Sequence, residues 1–261
     1  MMAVQVLAVT TNRTEYDLHE KMNIQTDAII GNQCGKDTVE ALEYNGRRIL
    51  YLSSATRGVG INRNQILMRA NAEFCVFADD DMTFLDGYEK TVRDWFSRLP
   101  DADIIVFNLE GGKKERKKTK SIQKVNRFNY GKYGAARLAF RTEAVRFSGV
   151  MFHTMFGGGG SFSCGEDTLF INDCLKKGLK IVAVPDAIAS IVDGNSTWFC
   201  GYTEKFFYDK GVLYALLNRK TAYLMAIYHC VKHRKRYHEF GLKKAVMQMF
   251  AGIRYAGSGG R

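Results

Sequence analysis

Proline is nearly missing from this chain. Only Pro100 and Pro185 occur in 261 residues, and no Pro- or Ser-rich linker divides them. No internal repeat is apparent. The six cysteines (Cys34, Cys75, Cys164, Cys174, Cys200, Cys230) are widely spaced, with no CxxC, which excludes a zinc knuckle and a dithiol redox site. No apolar run approaches the roughly 18 residues needed to cross a bilayer. A strand-like run begins almost at the N-terminus where a signal peptide would lie, so reduced thiols in a cytoplasmic protein are expected. Cys75, inside an apolar run, reads as a small buried hydrophobe.

What is present is core-forming material. Hydrophobic residues make up 46% and aromatics 12%, which sets disorder aside and leaves one large domain, alone or with a smaller helical appendage. The net charge is +11, unevenly placed. Residues 113–120 (KKERKKTK) hold six basic groups and one acid, and residues 218–261 hold ten Lys/Arg and one Glu. Together they exceed the whole excess, so the rest of the chain is mildly acidic.

Short apolar runs at 4–9, 27–30, 48–52, 74–78 and 104–107 read as strands. A short helix is expected from about Glu15, one through Ile61, Ile66, Leu67 and Ala70, and one over 87–99 with Val92, Trp95, Phe96 and Leu99 on one face. This alternation predicts βαβ units and a mainly parallel sheet. Further on, a helix is expected over 166–177, closed by Gly178, then two strands at 180–184 and 187–192. Residues 203–255 read as helical.

Three elements carry chemistry. Asp79-Asp80-Asp81 directly follows an apolar strand, at the edge where open α/β sheets bind ligands. Two carboxylates at D-x-D spacing suit a hard divalent cation; the plainer alternative is a polar turn with a helix-capping Asp. Gly165-Glu166-Asp167 opens a helix, where acids either complement the dipole or serve as a general base. The glycines before it, 157–160, either let backbone approach a substrate or form a mobile loop. In RGVGINRN (57–64) the third glycine of a dinucleotide fingerprint is replaced by Arg63, and the motif follows the third strand rather than the first, so that fingerprint is rejected. Arg63 instead reads as a diphosphate partner near a helix start, or as an ordinary surface arginine.

Taken in order, RGVGINRN, FADDDM and FGGGGSFSCGEDTLF resemble the inverting glycosyltransferases of family 2, over roughly residues 3–193. The resemblance implies a GT-A fold: a Rossmann-like, mainly parallel mixed sheet flanked by helices, here with a C-terminal helical extension. It implies a catalytic domain over 1–202, with a nucleotide-sugar half to about 110 and an acceptor half over about 111–202, followed by a basic amphipathic extension at 203–261. It implies a UDP-, GDP- or dTDP-linked sugar donor in a cleft formed by Thr10, Thr11, Arg13, Asn32 and Gln33, with Arg63, Asp79 and Asp80 beside the diphosphate. Mn2+ or Mg2+ would lie at Asp79 and Asp81, with Asp81 favoured as the direct ligand. Asp167, paired with Glu166, would be the catalytic base, and Gly159, Gly160 and Trp198 would face the acceptor. The segment 137–141 (RLAFR) resembles the strand that crosses toward the acceptor half. Many relatives place a histidine ligand after the last strand; here Asp193 stands in that region, either as a substitute or leaving one protein ligand fewer. Trp198 would stack on a sugar or pack in the core.

The implied function is sugar transfer to a glycan or lipid-linked hydroxyl, as in bacterial cell-surface polysaccharide synthesis. The basic tail reads either as two helices packed on the catalytic domain or as a peripheral surface for the anionic inner face of the plasma membrane. The 113–120 run reads as a solvated loop, or as a site for an acidic acceptor or lipid. Two rival classes remain. A sugar-1-phosphate nucleotidyltransferase usually has a Gly-rich basic loop after its first strand, where this chain has TTNRT. A non-enzymatic basic membrane- or nucleic-acid-binding protein would share the charge, but no nucleic-acid module is seen and no nucleic acid is expected.

Overall fold

The computed structural model describes residues 3–111, 118–191 and 201–258. Its centre is a ten-stranded sheet. Strand β1 (Val4–Thr11) lies between β2 (Asp27–Gln33) and β5 (Phe74–Asp79), parallel to both, and β4 (Arg47–Ser54) adds parallel outside β2. Strand β3 (Thr38–Tyr44) closes this edge antiparallel to β4. On the other side β9 (Leu138–Arg141) runs antiparallel between β5 and β7 (Ile104–Gly111). Strand β10 (Ile181–Ile191) is parallel to β7, and the short β6 (Met82–Phe84) and β8 (Gln123–Lys124) pair antiparallel with it.

Alternation along the strands explains the layering. Val4, Val6 and Ala8 of β1 face one core with Phe74, Val76 and Ala78 of β5; this side is covered by α1 (Leu18–Lys21) and α3 (Tyr88–Arg98). Leu7 and Val9, with Cys75 and Phe77, face a second core beneath α2 (Val59–Arg69) and α5 (Glu166–Lys176). Strands buried on both faces read as continuous apolar runs, which is why they stood out in the sequence. Cys75 is fully buried, with its Sγ 3.2 Å from Thr142 Oγ1 at the start of α4 (Thr142–Ser148).

One expectation needs correction. The two strands expected at 180–184 and 187–192 are one strand, β10, whose register against β7 shifts between Ala183 and Ala187. Pro185 cannot donate to the ladder, so the chain bulges there without leaving the sheet. Residue 192 lies outside the described residues. Helix α6 (Glu204–Leu217) precedes the basic tail, which forms the two helices that one of its readings expected, α7 (Ala222–Lys232) and α8 (Leu242–Gly257). Helices α6 and α8 cross at Gly211 and Gly252. A Cβ on Gly211 would overlap the Met249 carbonyl, and one on Gly252 the Tyr208 carbonyl. Glycine at both positions lets the two backbones touch.

Candidate active site

The carboxyl ends of β1, β2, β4 and β5 form one edge, because register aligns Thr10 with Asn32, Asn32 with Ser53, and Val9 with Asp79. Polar side chains tie the loops along it. Asn32 accepts from the Arg13 amide at 3.2 Å and donates to the Arg13 carbonyl at 2.9 Å. Gln33 makes the same two-way pair with Gly58, at 3.0 and 2.7 Å, which fixes the start of α2. Thr10 Oγ1 donates to Asp80, and Thr11 is exposed beside them. Asp80 and Asp81 form the exposed turn leaving β5.

Helix α2 buries three consecutive polar residues, which no amphipathic pattern would place inward. Asn62 donates to the Gly31 carbonyl at 2.9 Å, and Asn64 pairs with both backbone groups of Phe152 at 2.8 and 2.9 Å. Between them Arg63 is only 3% exposed. Its Nη2 donates to Asp79 Oδ1 at 2.7 Å, and its Nη1 to Asp167 Oδ1 at 2.6 Å and Glu166 Oε1 at 3.3 Å. The guanidinium also lies 5.3 Å from the centroid of Phe152, itself stacked on Phe170. The surface-arginine reading is therefore set aside. The carboxylates at the end of β5 and at the start of α5, 88 positions apart, meet on one cation.

The electrostatics follow from burial. Burial alone favours the neutral guanidine, but Asp167, Asp79 and Glu166 outweigh it and hold Arg63 more firmly charged than usual. Burial pushes the Glu166 carboxyl above the ordinary carboxylate range, and the charge of Asp167 pushes it further, against the pull of Arg63. One cation serving three carboxylates leaves negative charge in excess, and that excess favours a proton on Glu166.

The glycine run is a packed turn. The Gly157 amide donates to the Phe162 carbonyl, and Val59 at the start of α2 donates to the Gly158 carbonyl at 2.8 Å. A Cβ on Gly157 would meet Val59 and the Glu166 carboxyl at 2.5–2.7 Å, and one on Gly159 would reach the Gly58 amide at 3.0 Å. Gly160 closes the turn by donating to the Gly157 carbonyl. Gly165 caps α5 at φ +132, a backbone region L-residues rarely adopt, and Leu213 of α6 packs against it. The C-terminal helices thus brace the turn carrying Glu166 and Asp167. Asp209 of α6, 1% exposed, accepts from the Ser163 amide and hydroxyl, both at 2.8 Å, and from Lys205.

Asp193 and Trp198 lie outside the described residues, as does most of the 113–120 run. The sequence reading missed Asn62, Asn64, Phe152, Asp209 and Gly134. Their one shared signal is the pair of asparagines flanking Arg63 in RGVGINRN.

By sequence, residues 29–157 match the family model "Glycosyl transferase family 2". No curated protein matches the chain. Among solved structures, S. aureus TarS 1–349 in complex with UDP-GlcNAc superposes with a TM-score of 0.69 at 15% identity, covering 98% of this chain and 81% of that one. The mannosyltransferase PcManGT from Pyrobaculum calidifontis, in complex with GDP-Man and Mn2+, gives 0.50 at 13% identity, over 99% and 76%. Identities this low speak to fold alone. By fold the chain is GT-A, and by sequence, over residues 29–157, it resembles glycosyltransferase family 2.

Proposed function

We propose that this protein transfers a sugar from a nucleoside-diphosphate donor to an acceptor hydroxyl, with inversion at the anomeric carbon, in the building of a surface polysaccharide. The observation that carries this reading is the Arg63 junction, which brings Asp79 and Asp167 to one buried point. The nucleotide would lie along the edge formed by Thr10, Thr11, Arg13, Asn32 and Gln33. Both known structures just described hold nucleotide sugars, which supports a donor of that class here.

The carboxylates of Asp79 and Asp81 would suit a divalent metal of the hard type. Asp79 and Asp81 offer only oxygen donors, and among the described residues no cluster of three His, Cys, Asp or Glu could enclose an ion. Such a set suits Mg2+ or Mn2+ that takes its other ligands from phosphate and water. When bound there, the ion would neutralise charge on the departing diphosphate.

Asp167 takes the proton as the acceptor oxygen bonds to the anomeric carbon, while the bond to the diphosphate oxygen breaks and that oxygen keeps the electron pair. Arg63 holds Asp167 by Oδ1 and so orients it. A Cβ on Gly134 would come within 3.1 Å of Oδ2, so the missing side chain leaves space beside that oxygen for an incoming hydroxyl. Glu166, whose burial raises its pKa, accepts from the Gly165 amide at 3.1 Å.

A screen of UDP-, GDP- and dTDP-sugars tests this reading. Metal-dependent thermal stabilisation and slow hydrolysis by at least one donor are expected. Stabilisation by none, together with diphosphate release from a nucleoside triphosphate and a sugar phosphate, would establish the nucleotidyltransferase instead.

A further inference from the structure

Helix α7 is built inside out. The residues it buries fully are small, Ala222, Ala226 and Cys230, with Met225 and His229 half-buried beside them. The residues it turns to solvent are large and apolar: Leu224 is 69% exposed and Tyr228 64%, with Tyr223, Ile227 and Val231 alongside. A helix that only capped the tail's core would carry these side chains inward. The exposed set recurs at i, i+3, i+4 and i+7 from Leu224, so it forms one continuous stripe rather than scattered surface residues.

The surroundings of the stripe decide what covers it. Exposed Lys220 lies before the helix, and Lys232, Arg234, Lys235 and Arg236 lie at or beyond its end, all exposed. Glu239 is the only acid between 218 and 261. The Lys232 ammonium sits 5.2 Å from the centroid of Tyr228, so charge and apolar surface adjoin. A second copy laid face to face would set these cations against each other. A sheet of anionic headgroups over an apolar interior complements both features at once. At 11 residues the helix is about 16 Å long, and among the described residues no helix is long and apolar enough to cross a membrane. We propose that α7 docks the protein on an anionic lipid bilayer, lying in the plane of the interface with Leu224, Ile227, Tyr228 and Val231 among the acyl chains. This stands on α7 and the basic residues flanking it and is independent of the glycosyltransferase reading.

Co-sedimentation of the full chain with vesicles of phosphatidylcholine, with and without 30 mol% phosphatidylglycerol (an experimental choice of about the anionic content of a biological leaflet), tests it. Binding is expected to the anionic vesicles and to weaken with salt. Leu224→Glu/Ile227→Glu should lower the partition coefficient about tenfold or more, and Lys232→Gln/Arg234→Gln/Lys235→Gln should remove the preference for phosphatidylglycerol. All five positions are exposed, so melting temperatures should match the wild type. In Tyr228→Trp, vesicles should shift the tryptophan emission to the blue. No sedimentation, no blue shift, or binding untouched by the Leu224/Ile227 variant would overturn the proposal. So would light scattering that shows a dimer dissociated by that same variant, which would give the stripe to a second copy.

Discussion

Arg63 is the residue on which the candidate site turns, because a buried guanidinium without its carboxylates, or the reverse, is costly. Arg63→Ala would leave Asp79, Glu166 and Asp167 without their shared cation, and a loss of about 3–5 kcal/mol in urea unfolding is expected. Arg63→Lys keeps the charge but loses the fork that reaches both ends. It should fold close to wild type yet lose transfer, which paired melting and turnover assays would show. Gly134→Ala is a finer probe: its φ of −105 tolerates alanine, so donor binding should survive while acceptor transfer falls about tenfold or more for crowding at Asp167 Oδ2. For Glu166 the sign is set by its raised pKa. The native state holds this proton more tightly than the unfolded chain, so its contribution is fully present below the unfolded pKa and is lost as pH rises through the folded one. Glu166→Gln should therefore gain stability over wild type at pH 8 and lose that advantage by pH 4, measured by urea melts. Each acidic motif had a plain structural reading, a polar turn or a complement to the helix dipole, and they became legible as a site through their order and spacing together with RGVGINRN. The burial of Arg63 was not, since arginine on a helix ordinarily faces water and only tertiary contact reveals three carboxylates waiting for it.

At the scale of elements, the strands buried on both faces were readable as apolar runs, and β3 was not. Its sequence, TVEALEY, lies at a solvent-exposed edge, where neither alternation nor continuous apolarity is demanded. The two strands expected at 180–184 and 187–192 left Pro185 and Asp186 between them. In the fold, Asn108 donates to the Pro185 carbonyl at 2.7 Å and Trp95 to Asp186 at 2.7 Å, so neighbours hold the bulge within the sheet. The helical tail was legible in composition only, because its contacts depend on glycines whose purpose shows once two helices cross. Gly252→Ala should push α8 away from Tyr208 and destabilise the fold by about 1–3 kcal/mol or more, whereas Gly252→Ser should do no better. In the same unit His229 joins Tyr214 at 2.7 Å and Tyr237 at 2.6 Å, with His233 and Lys210 nearby. Burial, aided by the charges of Lys210, His233 and Lys232, lowers its pKa to about 3. The fold thus resists protonation here. Stability is full above the ordinary value of 6.5 and falls as pH drops toward 3, by up to about 1.4 kcal/mol per pH unit. His229→Gln should flatten that slope in melts between pH 7 and 4.

For the whole molecule, the charge imbalance seen in the sequence has a structural counterpart: a cluster of carboxylates at the sheet edge and a basic helical unit packed beside the turn that carries two of them. That unit is part of the site's framework, since Leu213 and Asp209 of α6 hold the turn bearing Glu166 and Asp167. The most direct measurement compares the wild type with Asp167→Asn, using whichever nucleotide sugar stabilises the protein. Donor affinity should change little while transfer to an alcohol acceptor falls at least about a thousandfold, and the wild-type product should carry the inverted anomeric configuration by NMR. Transfer by Asp167→Asn at the wild-type rate, or a retained configuration, would contradict a base at this position.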